Sequence, residues 1–390
     1  MTPPLLVGYD AKRIVRNATG LGSYGRTLVR DLAALPGLEL HLYAPDEGRP
    51  DLRAQIPASP RVTLHTPVPP RGRLRGAYWR NRAMVADLVR DGIQVYHGLS
   101  GELPRGITLS GVRSVVTIHD LIFLRHPEYY SWFDARIYAW KFRIACREAD
   151  RIIAISERTR QDIIELGGVS PDRIDLIYQS CSPRFAADLS PAAAADVRSR
   201  YALPPRFVLS VGTIEPRKNI LQAVQALPYL PADVHLVAVG RATPYSRSVL
   251  RAADRAGLSP RVHFLHGVPD ADLQALYRLA DVFVYPSRYE GFGIPVIEAI
   301  HSGLPVVAAT GSCLEEAGGP DSLYVSPDSP RDLAVAVSRV LRGNPEREAR
   351  IARSRDYVRR FEGLDVASQV ADVYRHLLET PAQLEGQVGH

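Results

Sequence analysis

The feature that most constrains the fold is an alternation of two kinds of segment, run twice along the chain. Short runs rich in β-branched and aromatic residues, "LLVGY" (5–9), "LELHLYA" (38–44), "RVTLHT" (61–66), "SVVTIH" (114–119) and "RIIAIS" (151–156), are each followed by a helical pattern. The alternation restarts near residue 205 with "FVLSVGT" (207–213), "VHLVAVG" (234–240), "VHFLHG" (262–267), "DVFVYPS" (281–287) and "PVVAAT" (305–310). Strand and helix signals in alternation predict parallel sheets with helices on both faces. The expected fold class is therefore α/β, as two doubly wound Rossmann-like domains facing a central cleft. "SPRFAADLSPAAAADVRSRYALPPR" (182–206) is rich in Ala and Pro, has no strand pattern, and is read as the linker. The expected domains are 1–188 and 189–363, with a last helix at about 364–380 returning to the first. In such sheets ligands bind beyond the carboxyl ends of the strands, so the residues to inspect are those that follow each strand.

The bulk properties narrow the class. At 390 residues, 46% hydrophobic and 23% charged, the chain reads as an ordinary globular protein able to bury a core in each domain. Cys146, Cys181 and Cys313 are sparse, odd in number and far apart, which argues for a reducing compartment and against a disulfide framework. "MTPPLLVGYD" has no basic region followed by an apolar run, so it does not read as a signal peptide. No 18-residue apolar stretch occurs. A cytoplasmic location is expected, with a peripheral position at the inner face of a membrane as a further hypothesis. That hypothesis comes from charge: residues 1–190 hold 26 Lys+Arg against 20 Asp+Glu, and they carry the whole net charge of +6. Much of the excess lies in "RGRLRGAYWRNR" (71–82), where Arg71, Arg73, Arg75, Arg80 and Arg82 flank Tyr78 and Trp79. A solvated basic face, an anionic acceptor and an anionic membrane surface all fit this segment. No nucleic-acid-binding module is present, so nucleic acid is not an expected partner.

Four stretches could carry chemistry. In "SRYEGFGIPVIEAI" (287–300) Pro295 fits only the first turn of a helix. Gly291 and Gly293 then form the turn between strand and helix, and the free N–H groups of the helix start suit a phosphate. Glu290 falls just before the helix and Glu298 about one turn inside it; both carboxylates can accept hydrogen bonds from sugar hydroxyls. A plain tight turn with surface glutamates is the bland alternative. In "VGTIEPRKN" (211–219) Arg217 and Lys218 follow a strand end and Asn219 is placed to cap the next helix. Two adjacent cations there could neutralise a leaving diphosphate without a divalent metal, or could simply be solvated. In "SVVTIHD" (114–120) His119 ends an apolar strand and Asp120 follows. His119 is either a core histidine or a group that bonds a substrate hydroxyl or shuttles a proton. In "ATGLGSYGRTL" (18–28) Gly20, Gly22 and Gly25 make a phosphate-compatible loop. Its first glycine stands too far beyond the strand for a dinucleotide fingerprint.

Taken together these residues resemble a retaining glycosyltransferase of the GT-B class, family 4 type, over nearly the whole chain. The E-x7-E signature is Glu290 to Glu298 in "EGFGIPVIEA", the diphosphate pair is Arg217 and Lys218 in "EPRKN", and the glycine loop is "TGLGSYGR". "HGVPDADLQALYRLADVFVYPS" (266–287) and "SGLPVVAA" (302–309) extend the match. The resemblance implies that Glu290 meets hydroxyls of the transferred sugar and Glu298 the ribose. It implies that backbone N–H groups of Phe292, Gly293 and Ile294 meet the diphosphate, and that Arg217 and Lys218 stabilise the leaving group. It further implies that His119 sits near the sugar, that Asp120 orients it or the acceptor, and that Gly22 lets its loop approach the phosphates. No cofactor and no metal are implied, and no D-x-D metal motif stands in context. "GRATPYSR" (240–247) departs from the family's basic, Gly-containing segment. "GLGSYGRTL" and "IYQSCSPRF" resemble bacterial mannosyltransferases of surface-polysaccharide assembly. The expected reaction therefore moves a hexose, mannose from GDP-mannose first, to a saccharide or lipid-linked acceptor. UDP-glucose, UDP-GlcNAc and rhamnosyl donors stay open. So do two other readings: a sugar-nucleotide epimerase of the same architecture, and a non-catalytic sugar-nucleotide-binding module.

Overall fold

The computed structural model describes residues 3–67, 73–179, 181–361 and 366–379. The chain divides into two compact units. One runs to Ile155, resumes over Thr159–Tyr178 and ends with the helix Val366–Glu379; the other holds Ser156–Arg158 and the chain from Gln179 to Phe361.

The first unit is built on a parallel sheet of β1 (Leu5–Asp10), β2 (Leu38–Tyr43), β3 (Val62–His65), β4 (Val95–Gly98), β5 (Arg113–Ile118), β6 (Arg151–Ala154) and β7 (Ile174–Leu176), in the order β3-β2-β1-β4-β5-β6-β7. The second holds β8 (Arg206–Val211), β9 (Val234–Val239), β10 (Val262–Leu265), β11 (Val282–Tyr285), β12 (Val306–Ala309) and β13 (Leu323–Val325), in the order β10-β9-β8-β11-β12-β13. Both orders reverse once, between β1 and β4 in the first sheet and between β8 and β11 in the second. The central strands β1, β4, β5, β6, β8, β9, β11 and β12 are largely buried, which is why most of them read as apolar runs. All ten expected strands form. β4, β7 and β13 are additional. β7 and β13 are three residues each, and β4 carries His97 in the middle of its apolar run.

His97 is wholly buried. Its Nδ1 lies 2.6 Å from the Tyr374 hydroxyl and its Nε2 2.8 Å from Thr117 Oγ1. Tyr374 also accepts a hydrogen bond from Tyr9 at 3.1 Å. This polar chain, with Val370 and Leu377 in the same apolar cluster, fastens the helix Val366–Glu379 to the first sheet.

Three expectations change. Gly20, Gly22 and Gly25 are not a loop: the helix Gly20–Ala34 begins at Gly20. A Cβ on Gly22 would stand 1.8 Å from the Asn17 carbonyl oxygen, so the glycine is required by the close approach of two backbone segments. Residues 182–206 are not a linker. The turn Pro183–Ala186 buries Phe185 edge-on against Tyr277 at 5.4 Å, and the Tyr201 hydroxyl donates to Asp272 at 2.6 Å. The chain thus enters the second unit at Gln179, before the expected break at 188/189.

The basic stretch also changes. Arg71 lies outside the described residues. The helical run Arg73–Arg90 contains one wide π turn, Trp79–Ala83. Trp79 is buried there, with its indole N–H on Asp87 at 2.7 Å. Arg80 also points inward, donating to Asp10 at 2.5 Å and Glu102 at 2.7 Å. Trp79 and Arg80 are therefore part of the fold and not of a basic surface, whereas Arg75, Tyr78 and Arg82 are exposed.

Candidate active site

In the second unit the reversal of strand order falls between β8 and β11, where a crevice beyond the strand ends is expected. The loops that follow these two strands carry the residues singled out in the sequence. After β8, a 3-10 turn over Pro216–Lys218 presents Arg217 and Lys218. After β11, Ser287 to Gly293 lead into the helix Ile294–His301, which has Pro295 in its first turn. Gly293 has φ 112°, a conformation that costs a side-chain-bearing residue strain, and a Cβ there would press on Leu314 at 2.9 Å. The Cys313 thiol donates to the Phe292 carbonyl at 2.9 Å and so fixes the loop from below.

The two loops meet through charge. Glu290 is buried and takes Lys218 Nζ at 2.5 Å on Oε1 and Arg217 Nη1 at 3.0 Å on Oε2; the Ser287 hydroxyl donates to the same Oε1. Arg217 also donates to the Tyr289 carbonyl at 2.6 Å and to Glu215 at 2.8 Å. Lys218 donates to the Tyr285 hydroxyl at 2.7 Å. Burial opposes charge on Glu290, but Lys218 and then Arg217 outweigh it and hold the carboxyl at about 2. Glu290 is thus an anion at neutral pH. Glu298 differs in kind. Its Oε2 accepts from the Tyr277 hydroxyl at 2.8 Å, and burial pushes its carboxyl up to about 7.

One local expectation needs correction. Asn219 occupies the residue before the helix Ile220–Ala226 but does not cap it: its backbone is left-handed, at φ 53°. Its side-chain amide donates instead to Gln222 at 3.1 Å and to the Pro327 carbonyl at 2.8 Å. In 240–247, Thr243 and Ser246 form a reciprocal capping box at the head of the helix Pro244–Arg255. Sequence reasoning missed Glu215, Tyr277, Tyr285 and Ser287. The first and last sit inside the quoted motifs. The two tyrosines had no signal beyond their strand and helix.

In the first unit, His119 and Asp120 follow β5 and line a cavity of about 220 Å³ with Glu102, Lys141, Tyr130 and Tyr138. His119 Nε2 is 2.9 Å from the Leu99 carbonyl, which makes that nitrogen the N–H bearer and Nδ1 the acceptor of a neutral ring. The ring sits edge-on to Tyr24 at 4.8 Å. Burial lowers the His119 imidazole to about 4, with the Leu99 carbonyl opposing. At neutral pH the ring is uncharged and fits hydrogen bonding to a hydroxyl better than proton shuttling. Asp120 accepts the Ile122 N–H at 3.2 Å. Beneath the cavity runs the ion chain Asp10–Arg80–Glu102–Lys141, whose last link is 3.0 Å. Burial would raise Glu102, but Arg80 and then Lys141 hold it at about 2.

Two doubly wound parallel units, one with paired cations and a carboxylate at its switch point, define a GT-B fold. The solved structures agree. The HepE protein of Anabaena in complex with UDP and glucose aligns over 96% of this chain and 100% of its own, with TM-score 0.73 and 19% identity. Sucrose-phosphate synthase from Thermosynechococcus elongatus aligns over 96% and 99%, with TM-score 0.76 and 23% identity. The family model "Glycosyltransferase Family 4" matches residues 18–184, and "Glycosyl transferases group 1" matches 196–357. The O-antigen chain mannosyltransferase B of Escherichia coli is 31% identical over 73% of this chain and 74% of its own. The serotype-specific mannosyltransferase WbdA of the same species is 30% identical over 69% of this chain and 35% of its own. This chain belongs to the family 4 glycosyltransferases of GT-B fold, and it is a transferase.

Proposed function

We propose that this chain transfers a hexose, mannose from GDP-mannose, to a saccharide or lipid-linked acceptor with retention at the anomeric carbon, at the cytoplasmic side of a membrane. The observation that carries the reading is the cluster Arg217–Glu290–Lys218, which stands beside the start of the helix Ile294–His301. The choice of mannose is supported by the two relatives named above, which are mannosyltransferases.

The chemistry follows from the cluster. Glu290 stays ionised, so it accepts hydrogen bonds from hydroxyls of the sugar without competing for a proton. Arg217 and Lys218 are held by Glu290 until a diphosphate arrives and can then share their N–H groups with it. Backbone N–H groups at Phe292, Gly293 and Ile294 add the helix start to the same anion. The bond between the anomeric carbon and the diphosphate oxygen breaks while the bond to the acceptor oxygen forms on the same face. The acceptor proton passes to the departing diphosphate oxygen. The protein's work is positioning and stabilisation of the leaving charge, and the two cations perform it without a metal. Glu298 would take the ribose. On the first unit, His119 would bond a hydroxyl and Asp120 would orient the acceptor. Gly22, at the start of the helix Gly20–Ala34, would let that segment approach the phosphates.

The decisive assay follows sugar-nucleotide consumption with and without a saccharide acceptor, after a thermal-shift comparison of GDP with UDP. Transfer that needs acceptor and a GDP-selective shift are expected. Free diphosphate with an altered sugar and no acceptor would mean an epimerase; binding without turnover would mean a binding module. Turnover in EDTA equal to that in Mg²⁺ is expected, and loss restored by Mg²⁺ would overturn the metal-free leaving group.

A further inference from the structure

The first unit carries a helix whose first half leaves aromatic side chains exposed. The helix Trp132–Glu148 starts cleanly: Ser131 Oγ accepts the Asp134 N–H at 3.1 Å and donates to the Asp134 carboxylate at 2.7 Å. Its second half packs inward, through Phe142, Ile144, Ala145 and Cys146, and Tyr138 packs on Phe123 and Tyr130. Its first half leaves Trp132 72%, Phe133 66% and Trp140 45% exposed, with Ile137 and Tyr138 also open. Phe133, Ile137 and Trp140 recur at helical spacing and form one stripe. An isolated exposed apolar residue needs no explanation, but two tryptophans, a phenylalanine and an isoleucine exposed on one half of a helix mark an interaction face.

The charges along the helix are mostly positive. From Trp132 to Arg147 the sequence offers Arg136, Lys141, Arg143 and Arg147 against Asp134. The Arg136 guanidinium lies 4.9 Å from the Trp132 ring centre, and that of Arg105 lies 5.8 Å from Trp140. Arg105 continues into a shallow groove of about 740 Å³ shared with Arg82, Val85, Val89, Arg90 and Arg147. Arg90 is paired with Asp87 and Asp91, and Arg147 with Glu148. Arg82, Arg105, Arg136 and Arg143 have no such acid partner among the described residues. The helix also supplies Tyr138, Lys141 and Phe142 to the cavity that holds His119.

We infer that this face docks on an anionic lipid bilayer, with Trp132, Phe133, Ile137 and Trp140 entering the headgroup boundary and Arg82, Arg105, Arg136 and Arg143 meeting lipid phosphates. Tryptophan and tyrosine settle at that boundary because one end of the ring is apolar and the other wet, and basic residues add attraction that salt screens. Of the basic segment 71–82 this surface includes Arg82, whereas Trp79 and Arg80 are inside the fold. Docking stands independently of the transferase reading. Its use, presenting a lipid-linked acceptor to the His119 cavity of the same unit, rests on that reading.

The test uses the whole chain with vesicles of phosphatidylethanolamine and phosphatidylglycerol, and with vesicles of phosphatidylcholine alone. Of the three tryptophans, Trp79 is buried and Trp132 and Trp140 are exposed, so a blue shift of emission on adding vesicles reports this helix. Binding and a blue shift are expected with the anionic vesicles, and both should weaken as salt rises. Trp132→Ser/Phe133→Ser should lower vesicle partitioning by about tenfold or more, with thermal midpoint and donor hydrolysis unchanged. Arg82→Ser/Arg105→Ser/Arg136→Ser should lower it on the order of 100-fold, at about 1 kcal/mol per residue. Failure of the wild type to bind anionic vesicles at low salt overturns the proposal. So does equal partitioning by the aromatic variant. A vesicle-free dimer in sedimentation velocity that the aromatic variant dissociates would assign the face to a second copy instead. Loss of transfer with vesicle binding intact would touch only the transferase reading.

Discussion

The two units solve one topological problem with different materials. Each sheet reverses strand order once, and at each reversal a buried acid is held between cations: Asp10 and Glu102 around Arg80 with Lys141 in the first, Glu215 and Glu290 around Arg217 with Lys218 in the second. In the second unit the cations sit side by side in one turn and Glu290 lies in the neighbouring loop, beside a helix start. A diphosphate can replace part of the ion pairing there. In the first unit Arg80 is 9% exposed and comes from a distant helix, so it is a strut beneath the cavity. Similar charge sets serve ligand exchange in one place and rigidity in the other, and the helix start that follows Glu290 decides which.

The largest expected effects separate these roles. Lys218→Ala should lower turnover on the order of 10²- to 10³-fold, the scale of losing one stabiliser of transition-state charge. Arg80→Ala should instead cost about 3–5 kcal/mol of stability, because Asp10 and Glu102 are left buried with less compensation. Its affinity for a nucleoside diphosphate should not change. Calorimetric melting beside nucleotide titration checks both. If Arg80→Ala weakens nucleotide binding as much as Lys218→Ala does, the contrast between the clusters is false. Glu290→Gln sharpens it further: transfer should fall steeply while the nucleoside diphosphate still binds, and near wild-type turnover would remove Glu290 from the sugar.

The same contrast explains what could be read from the sequence. The second cluster is local: "EPRKN" and "EGFGIPVIEA" each hold their residues within ten positions, and parallel topology brings together the loops after β8 and β11. The first cluster draws on residues 10, 80, 102 and 141, and no pattern joins them. Arg80 was further concealed by the π turn at Trp79–Ala83, which shifts helical phase and turns inward a residue that charge alone places outside. Gly22 was legible as a glycine but not as the contact it makes, since the Asn17 carbonyl oxygen comes within reach only in the folded chain. The alternation of strand and helix found the sheets because buried parallel strands are apolar throughout. It missed β7 and β13 because three residues are too few to form a pattern.

A smaller effect tests the glycine contacts. Gly22→Ala puts a Cβ against backbone oxygen and should destabilise the first unit by more than about 1 kcal/mol, whereas Gly20→Ala, with nothing within 4 Å of its Cβ, should stabilise the helix start slightly. Equal melting of the two variants would mean that the first helix does not press on Asn17.

A last effect is in the pH dependence of stability, and within the second unit Glu290 and Glu298 work in opposite directions. Glu298, raised from an ordinary 4.5 to about 7, keeps a proton in the folded chain that the unfolded chain has already lost. Its contribution is therefore present at low pH and is lost as pH rises from 4.5 through 7. Glu290, lowered from 4.5 to about 2, contributes above 4.5 and loses that contribution as pH falls toward 2. In the first unit His119, lowered from 6.5 to about 4, contributes above 6.5 and loses it as pH falls through 4. Without nucleotide, the melting temperature should thus decline on both sides of a maximum in the mildly acidic range. Glu298→Gln should flatten the neutral side and leave the acid side intact; His119→Asn should do the reverse, because it removes a group that must be neutral to stay buried. If Glu298→Gln leaves the slope between 4.5 and 7 unchanged, the carboxyl is already ionised at rest, and it would meet a ribose as a preformed anion like Glu290.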